Sequence, residues 1–249
     1  MTRVISALIL LPVVVGIIWG LPPWGTQGLC LVVLVLCLRE YDNLVARSGL
    51  DVVPGLSMAL AIGMYGVLIF HLPAHHWLML ATVVTGIALV LRGRVPAQAL
   101  AVAASTAFAV AYLGMGVATV PMVRELYGAA PLLTLILTQV ASDTAQYYAG
   151  RAFGRAPSRV FLGLSAGLGR VWLPGIETWQ LALLGVGVAI VGIAGDLFES
   201  MLKRSADVKD ASGLIPGHGG MLDRIDALLF TMPLYYVALQ WLWPNGPGA

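Results

Sequence analysis

The chain has 249 residues, 59% of them hydrophobic and 10% charged, with a formal net charge of +2 and a mean hydropathy of +0.89. Soluble domains carry about a quarter charged residues, so the composition excludes a soluble globular protein and describes a polytopic membrane protein. A balance so near zero gives no argument for nucleic acid or an acidic partner, and the placement of the charges matters more than their sum.

Windows of about 20 apolar residues, enough to cross about 30 Å of hydrocarbon, fall near 4–20, 27–46, 54–72, 76–92, 97–120, 130–150, 178–202 and 227–243. The first of them, "MTRVISALILLPVVVGIIWG", has the basic start and apolar core of a signal peptide. It is followed by "LPPWGT" rather than a small-x-small cleavage site, so it reads as an uncleaved span. Cys30 and Cys37 sit seven apart in the second window, about 10 Å along a helix axis and beyond disulfide reach. The breaks "RSGLDVVPG", "HLPAHH", "RGRVP" and "RELYGAAP" carry turn and interface residues. His71, His75 and His76 belong to one of them and read as interface residues. With no internal repeat or low-complexity tract, residues 1–249 form a single integral membrane domain, with N-terminal spans over about 1–122 and a second half over about 130–249.

The fold class expected is all-α, a polytopic transmembrane helical protein with eight clear spans plus one short crossing. The ninth follows from the Lys/Arg distribution. With Arg3 inside, Arg39, Arg47, Arg92, Arg94, Arg151, Arg155 and Arg159 also fall inside, but a single crossing at 178–202 would carry Lys203, Arg204, Lys209 and Arg224 outside. A crossing through "VFLGLSAGLGRVWLPG", about 24 Å long as a helix and marked by Trp172, Pro174 and Trp179, restores the bias. Only Arg124 and Arg170 then remain outside. An interfacial or re-entrant segment is the alternative at this place.

Ten charged residues concentrate in "GDLFESMLKRSADVKDASGLIPGHGGMLDRID", residues 195–226. On a helix Asp196, Glu199, Ser200 and Lys203 share one face at the end of a span. Gly213, Pro216, Gly217, Gly219 and Gly220 then break the helix into a loop whose backbone can approach a ligand closely, and His218 sits within it. Asp223 and Asp226 follow at i, i+3 on the next helix. Carboxylates on two helix ends, joined by a cationic glycine loop, are what binding a phosphorylated substrate through a divalent metal requires. Charge between two spans is commonly just solvated anchor, but a carboxylate within a span is costly and marks function. Asp143 is the clearest instance, on one face with Tyr147 and Arg151 and beside Gln146.

The order Ser200, Lys203-Arg204, Lys209-Asp210, Pro216, His218-Gly219-Gly220, Asp223-Arg224 and Asp226 resembles the signature of the phosphatidate cytidylyltransferase (CDP-diacylglycerol synthase) family. Weaker similarity extends to "SDTAQYYAGRAFGR" and "RVISALILLP". The resemblance implies a nucleotidyltransferase of phospholipid synthesis in a bacterial inner membrane, with its active site at the cytoplasmic face, where CTP and a membrane-held phosphatidate meet. In that reading Mg²⁺ sits on Asp196 and Asp223, with Asp143 or Asp226 completing the shell, and a monovalent cation such as K⁺ is a further candidate. Lys203, Arg204, Lys209 and Arg224 stabilise the transferring and leaving phosphates, with Asp210 orienting Lys209. Arg151, Ser200, His218, Gly219 and Gly220 contact substrate. The partners expected are CTP, phosphatidate and the bilayer, with a homodimer as a candidate assembly and no nucleic acid.

One departure stands out. The family's Ser-Pro-x-Lys-Thr-x-Glu-Gly element has no counterpart in "APSRVFLGLSAGLGRVWLPGIETWQ", the same place where the span count needs an extra crossing. The sequence therefore leaves open a cytidylyltransferase for another lipid phosphate, an inactive paralogue and, in a different class, a cation or proton transporter. A transporter would not need the His-Gly-Gly turn or the cation cluster.

Overall fold

In a computed structural model every regular element described is helical. The structure describes residues 2–93, 96–152, 167, 169–214, 219–244 and 246, with side chains throughout except at 2–10, 96 and 141–152. Helix α1 is Thr2–Gly20, α2 Pro23–Arg47, α3 Leu56–Ile69 and α4 Ala74–Arg92. A 3-10 turn at Pro96–Gln98 leads into α5, Ala99–Ala109, which continues through a π-helical segment, Val110–Met115, into α6, Gly116–Tyr127. Then come α7, Ala129–Ala152, α8, Thr178–Ser205, and α9, Leu222–Leu242.

Each apolar window of the sequence thus contains a helix. Among the described residues four helical runs are long and apolar enough to cross a membrane: Ala74–Arg92, Ala99–Tyr127, Thr178–Ser205 and Leu222–Leu242. These make the chain a helical membrane protein. α3, at 14 residues, rises only about 21 Å, because the backbone leaves the helix at Phe70 and His71 takes a φ of 53°. The short crossing expected before Glu177 lies mostly outside the described residues; of it, Gly169–Trp172 is helical.

The chain forms two compact units. The first comprises Met1–Ala7, Gln27–Ala118 and Leu197–Ile225, the second Leu8–Thr26, Thr119–Asp196 and Asp226–Ala249. In the first, α2 buries Leu34, Cys37, Leu38, Tyr41 and Leu44, and α3 buries Leu60, Ala61, Met64 and Tyr65, the i, i+3, i+4 stripe of a helix facing a core. Polar tips inside this core find carbonyls: Tyr41 Oη donates to Ser105 O at 3.0 Å, Tyr65 Oη to Gln27 O at 2.7 Å and Trp77 Nε1 to Leu60 O at 2.9 Å. Tyr41, Phe108, Tyr112 and Phe198 form an aromatic cluster with centroids 5.0 to 6.4 Å apart, which ties the last turns of α8 to α2 and to the α5–π run.

In the second unit Leu132, Leu133 and Leu135 of α7, Leu181 and Val188 of α8 and Met232, Tyr235 and Leu239 of α9 are buried. Tyr235 Oη donates to Pro131 O at 3.0 Å. Gly195 lies against the start of α9, where a Cβ would stand 2.8 Å from Asp226 O, so only glycine permits that approach. Arg124 Nε and Nη2 donate to Ile18 O and Leu21 O, satisfying carbonyls that the end of α1 leaves unbonded.

Candidate active site

Residues 197–225 of the charged stretch belong to the first unit and form a helix end, a loop and a helix start. α8 closes in a Schellman turn: Val208 N donates to Lys203 O at 3.0 Å and Asp207 N to Arg204 O at 3.1 Å, with Asp207 at φ 55°. Just before that turn Lys203 Nζ reaches Glu199 Oε2 one turn back, at 2.5 Å, and Asp223 Oδ1 on α9, at 2.7 Å. Glu199 is 1% exposed and Asp223 6%, so one ammonium bridges two enclosed carboxyl groups. Leaving either unpaired would cost several kcal/mol.

The other oxygen of Asp223, Oδ2, accepts from Gly220 N at 2.7 Å and from Ala211 N at 3.0 Å. The first bond is the reach-back of a capping box at the start of α9; the second pins the middle of the loop. A further carboxylate completes the anchoring. Glu40, on α2 and 4% exposed, accepts from Ser212 Oγ at 2.6 Å and Met221 N at 2.9 Å through Oε1, and from Leu222 N at 2.7 Å through Oε2. Its negative charge sits on the positive end of α9.

Both glycines of the turn have a steric reason. At Gly219, φ 77°, a Cβ would fall 2.6 Å from Asp223 Oδ2, and at Gly220 it would fall 2.5 Å from Glu40 Oε2. Each glycine clears room for one carboxylate.

The structure brings together Lys203, Asp223, Gly219 and Gly220 of the residues singled out by sequence, with Asp210 Cβ 3.6 Å from the space beside Gly219. Ser200, Arg204, Lys209, Asp210 and Arg224 are exposed around this core. Asp196 and Asp226 are half-buried and belong to the second unit, one helical turn along α8 from Glu199 and along α9 from Asp223. His218 and the side chains of Asp143 and Arg151 lie outside the described residues. So do Arg155, Arg159 and most of the segment where the Lys-Thr element was sought. Arg170 is exposed.

Glu40 escaped the sequence reading. Its signal was present: it stands at i+3 from Cys37 and i−4 from Leu44, on the apolar stripe of α2, where an unpartnered carboxylate would not be tolerated. Glu199 had been placed on the right face but given no role.

Among the described residues no three Asp, Glu, His or Cys side chains converge as a metal cage. The chemistry of the donors nonetheless suits a hard divalent cation. Carboxylates come from both helix ends, and Glu199 Oε1 is buried with no hydrogen bond reaching it.

With that geometry in view, comparison with known proteins defines the class first. Residues 1–242 match the model of the "Cytidylyltransferase family", and the chain belongs to that family. More particular similarity is to a phosphatidate cytidylyltransferase of Synechocystis sp., 41% identical over 120 residues, covering 42% of this chain and 41% of the relative. The corresponding protein of Pseudomonas aeruginosa is 34% identical over 136 residues, 47% of this chain and 49% of the relative. Phosphatidate cytidylyltransferase 5, chloroplastic, of Arabidopsis thaliana is 41% identical over 113 residues, 39% of this chain and 28% of the relative. The chain thus matches less than half the length of each of these relatives.

Proposed function

We propose that this protein joins CTP and phosphatidate to give CDP-diacylglycerol and pyrophosphate, as the names of its relatives indicate for them. The observation that carries the reading is the Lys203 ammonium fixed between Glu199 and Asp223. It lies at the ends of two apolar helices, inside the stretch that resembles the family signature.

The reaction needs no strong base, because the nucleophile is already an anion near neutral pH. A phosphate oxygen of phosphatidate attacks the α-phosphorus of CTP, the α–β anhydride bond breaks, and its electron pair leaves on pyrophosphate. The protein's task is to bring polyanions together. Arg204, Lys209 and Arg224, exposed around the loop, bind phosphate oxygens, and Asp210 orients Lys209. Lys203 is a further cation of this reading, its ammonium already oriented by Glu199 and Asp223. Ser200 and the His218-Gly219-Gly220 turn contact substrate. When bound, Mg²⁺ neutralises the triphosphate and polarises the reacting phosphorus. Asp196 and Asp223 would hold it, with Asp143 or Asp226, and Glu199, which shares the Lys203 ammonium with Asp223, is a further carboxylate of this reading. K⁺ is the further cation of this reading and a homodimer its assembly.

In the membrane we place eight spans plus the short crossing, with the N-terminus and the signature loop on the cytoplasmic side of a bacterial inner membrane. Two contacts of the second unit support this arrangement. The Trp19 and Trp172 rings lie 6.1 Å apart, and Arg124 binds the carbonyls at the end of α1, so Arg124 and Trp172, both expected on the outer side, meet the far end of the first span.

The test is purified protein in detergent with labelled CTP, Mg²⁺ and a panel of lipid phosphates. Mg²⁺-dependent transfer to phosphatidate with release of pyrophosphate is expected. Transfer only to an isoprenoid phosphate would move the assignment to another lipid, and absence of any CTP binding would make the chain an inactive paralogue. Cation flux without CTP binding would make it a transporter.

A further inference from the structure

We infer that Glu40, 172 to 182 residues before the groups it binds, is a positioning residue for the signature loop. This rests on the cytidylyltransferase reading for its catalytic consequence, though not for its structural one.

The inference begins with the cost of the residue. A carboxylate 4% exposed on the apolar stripe of α2 is retained only where donors compensate its lost water. Glu40 has three, all from the segment 212–222: the Ser212 hydroxyl and the N–H groups of Met221 and Leu222. Charge-assisted bonds of this kind are about twice as strong as neutral ones. The two amides are among those that the first turn of α9 leaves without helical partners.

Asp223 then fixes the neighbouring amides, Gly220 and Ala211, with its other oxygen on Lys203. The order of fixation is therefore α2 to the start of α9, the start of α9 to Asp223, and Asp223 to Lys203. Glu40 acts through these groups. Gly220 shows how close the fit is, since a methyl there would take the place of the Glu40 carboxylate.

The chemistry prescribes the variants. Glu40→Gln keeps size but turns an amide NH₂ toward either the Leu222 N–H or the Met221 N–H and Ser212 hydroxyl, so donor faces donor. Ser212→Ala removes the bond to Glu40 and the one accepted from Leu214 N at 3.2 Å, and leaves both the Met221 and Leu222 amides served, so exchange is compared at those two amides. Gly220→Ala evicts the carboxylate, and Glu40→Ala removes it. In the double variant Glu40→Ala/Gly220→Ala the methyl has room, so the two losses should be far from additive.

Two readouts are needed. Hydrogen exchange of the intact protein in detergent, with and without Glu40→Gln, should show peptides over 211–222 exchanging at least about tenfold faster, the loss of one charge-assisted bond. Peptides of α3 and α4 should be unchanged. Turnover should fall by a similar factor through kcat, with KM for CTP within about twofold, and Ser212→Ala should lie between the variant and wild type. Unchanged exchange at 211–222 overturns the inference, as does faster exchange with full kcat in an active enzyme. If the wild type transfers nothing to any lipid phosphate, the functional reading falls while the exchange result still judges Glu40. Should Glu40→Gln fail to fold, Ser212→Ala and the Gly220→Ala cycle decide the same question.

Discussion

The first unit holds two of its loops by opposite chemistry. The loop 48–55, after α2, is held largely by its carbonyls and a surface charge. Arg92 donates to Val52 O and pairs with Asp51 at 2.7 Å, and Gln98 Nε2 donates to Gly49 O while its Oε1 accepts from Asp51 N. The loop 206–221, after α8, is held by its amides, which point at two buried carboxylates. Asp51 is 39% exposed and Arg92 24%, whereas Glu40, Glu199 and Asp223 are nearly or fully enclosed. Anchoring by carboxylates consumes N–H donors inward and leaves Arg204, Lys209 and Arg224 on the open side. In the proposed function, where these cations meet phosphates, such anchoring leaves Lys209 of the loop and Arg204 and Arg224 of the flanking helices exposed.

The largest expected effect separates the two loops outright. Asp223→Asn puts an NH₂ group either against the Lys203 ammonium or against the Gly220 and Ala211 amides, and breaking such a buried pair costs about 3–5 kcal/mol. Turnover should fall on the order of 100-fold or more, whereas Asp51→Asn, at a partly exposed pair, should shift stability by no more than about 1 kcal/mol and leave turnover intact. Equal losses, measured as kcat and thermal midpoint, would break the comparison.

Next in size are the arginines near the missing Lys-Thr element. If cations outside the loop share the triphosphate, Arg151→Ala and Arg155→Ala should each weaken CTP binding by about 1.5–3 kcal/mol, with Arg170→Ala as the neutral control. Calorimetric titration with CTP and Mg²⁺ checks this, and no change in either variant would leave the phosphates to the 206–221 loop alone.

A smaller effect tests the loop's entry. Asp207 takes the left-handed position that closes α8, at φ 55°, and glycine adopts it without the side-chain penalty of about 1 kcal/mol. Asp207→Gly should therefore raise the unfolding midpoint slightly and leave kcat unchanged. Lowered activity would mean that the Asp207 side chain contributes to the site as well as to the turn.

Read alone, the sequence determined the class of protein and the elements. Apolar windows of spanning length make helices wherever they occur, because a backbone in lipid must satisfy its own hydrogen bonds. The glycines of the stretch 195–226 break it into a helix end, a polar loop and a helix start. Lys203 and Asp223 were legible as candidate site residues because each stands at the end of a helix next to the glycine loop. Tertiary structure decided what holds them there. Glu199 and Asp223 share one ammonium, Gly219 and Gly220 make room for carboxylates, and Glu40 reaches Leu222 at the start of α9 from 182 residues earlier. Helical periodicity relates residues within a few turns of one another, so a bond between residues so far apart in the chain is fixed only when packing brings α2 and the start of α9 together.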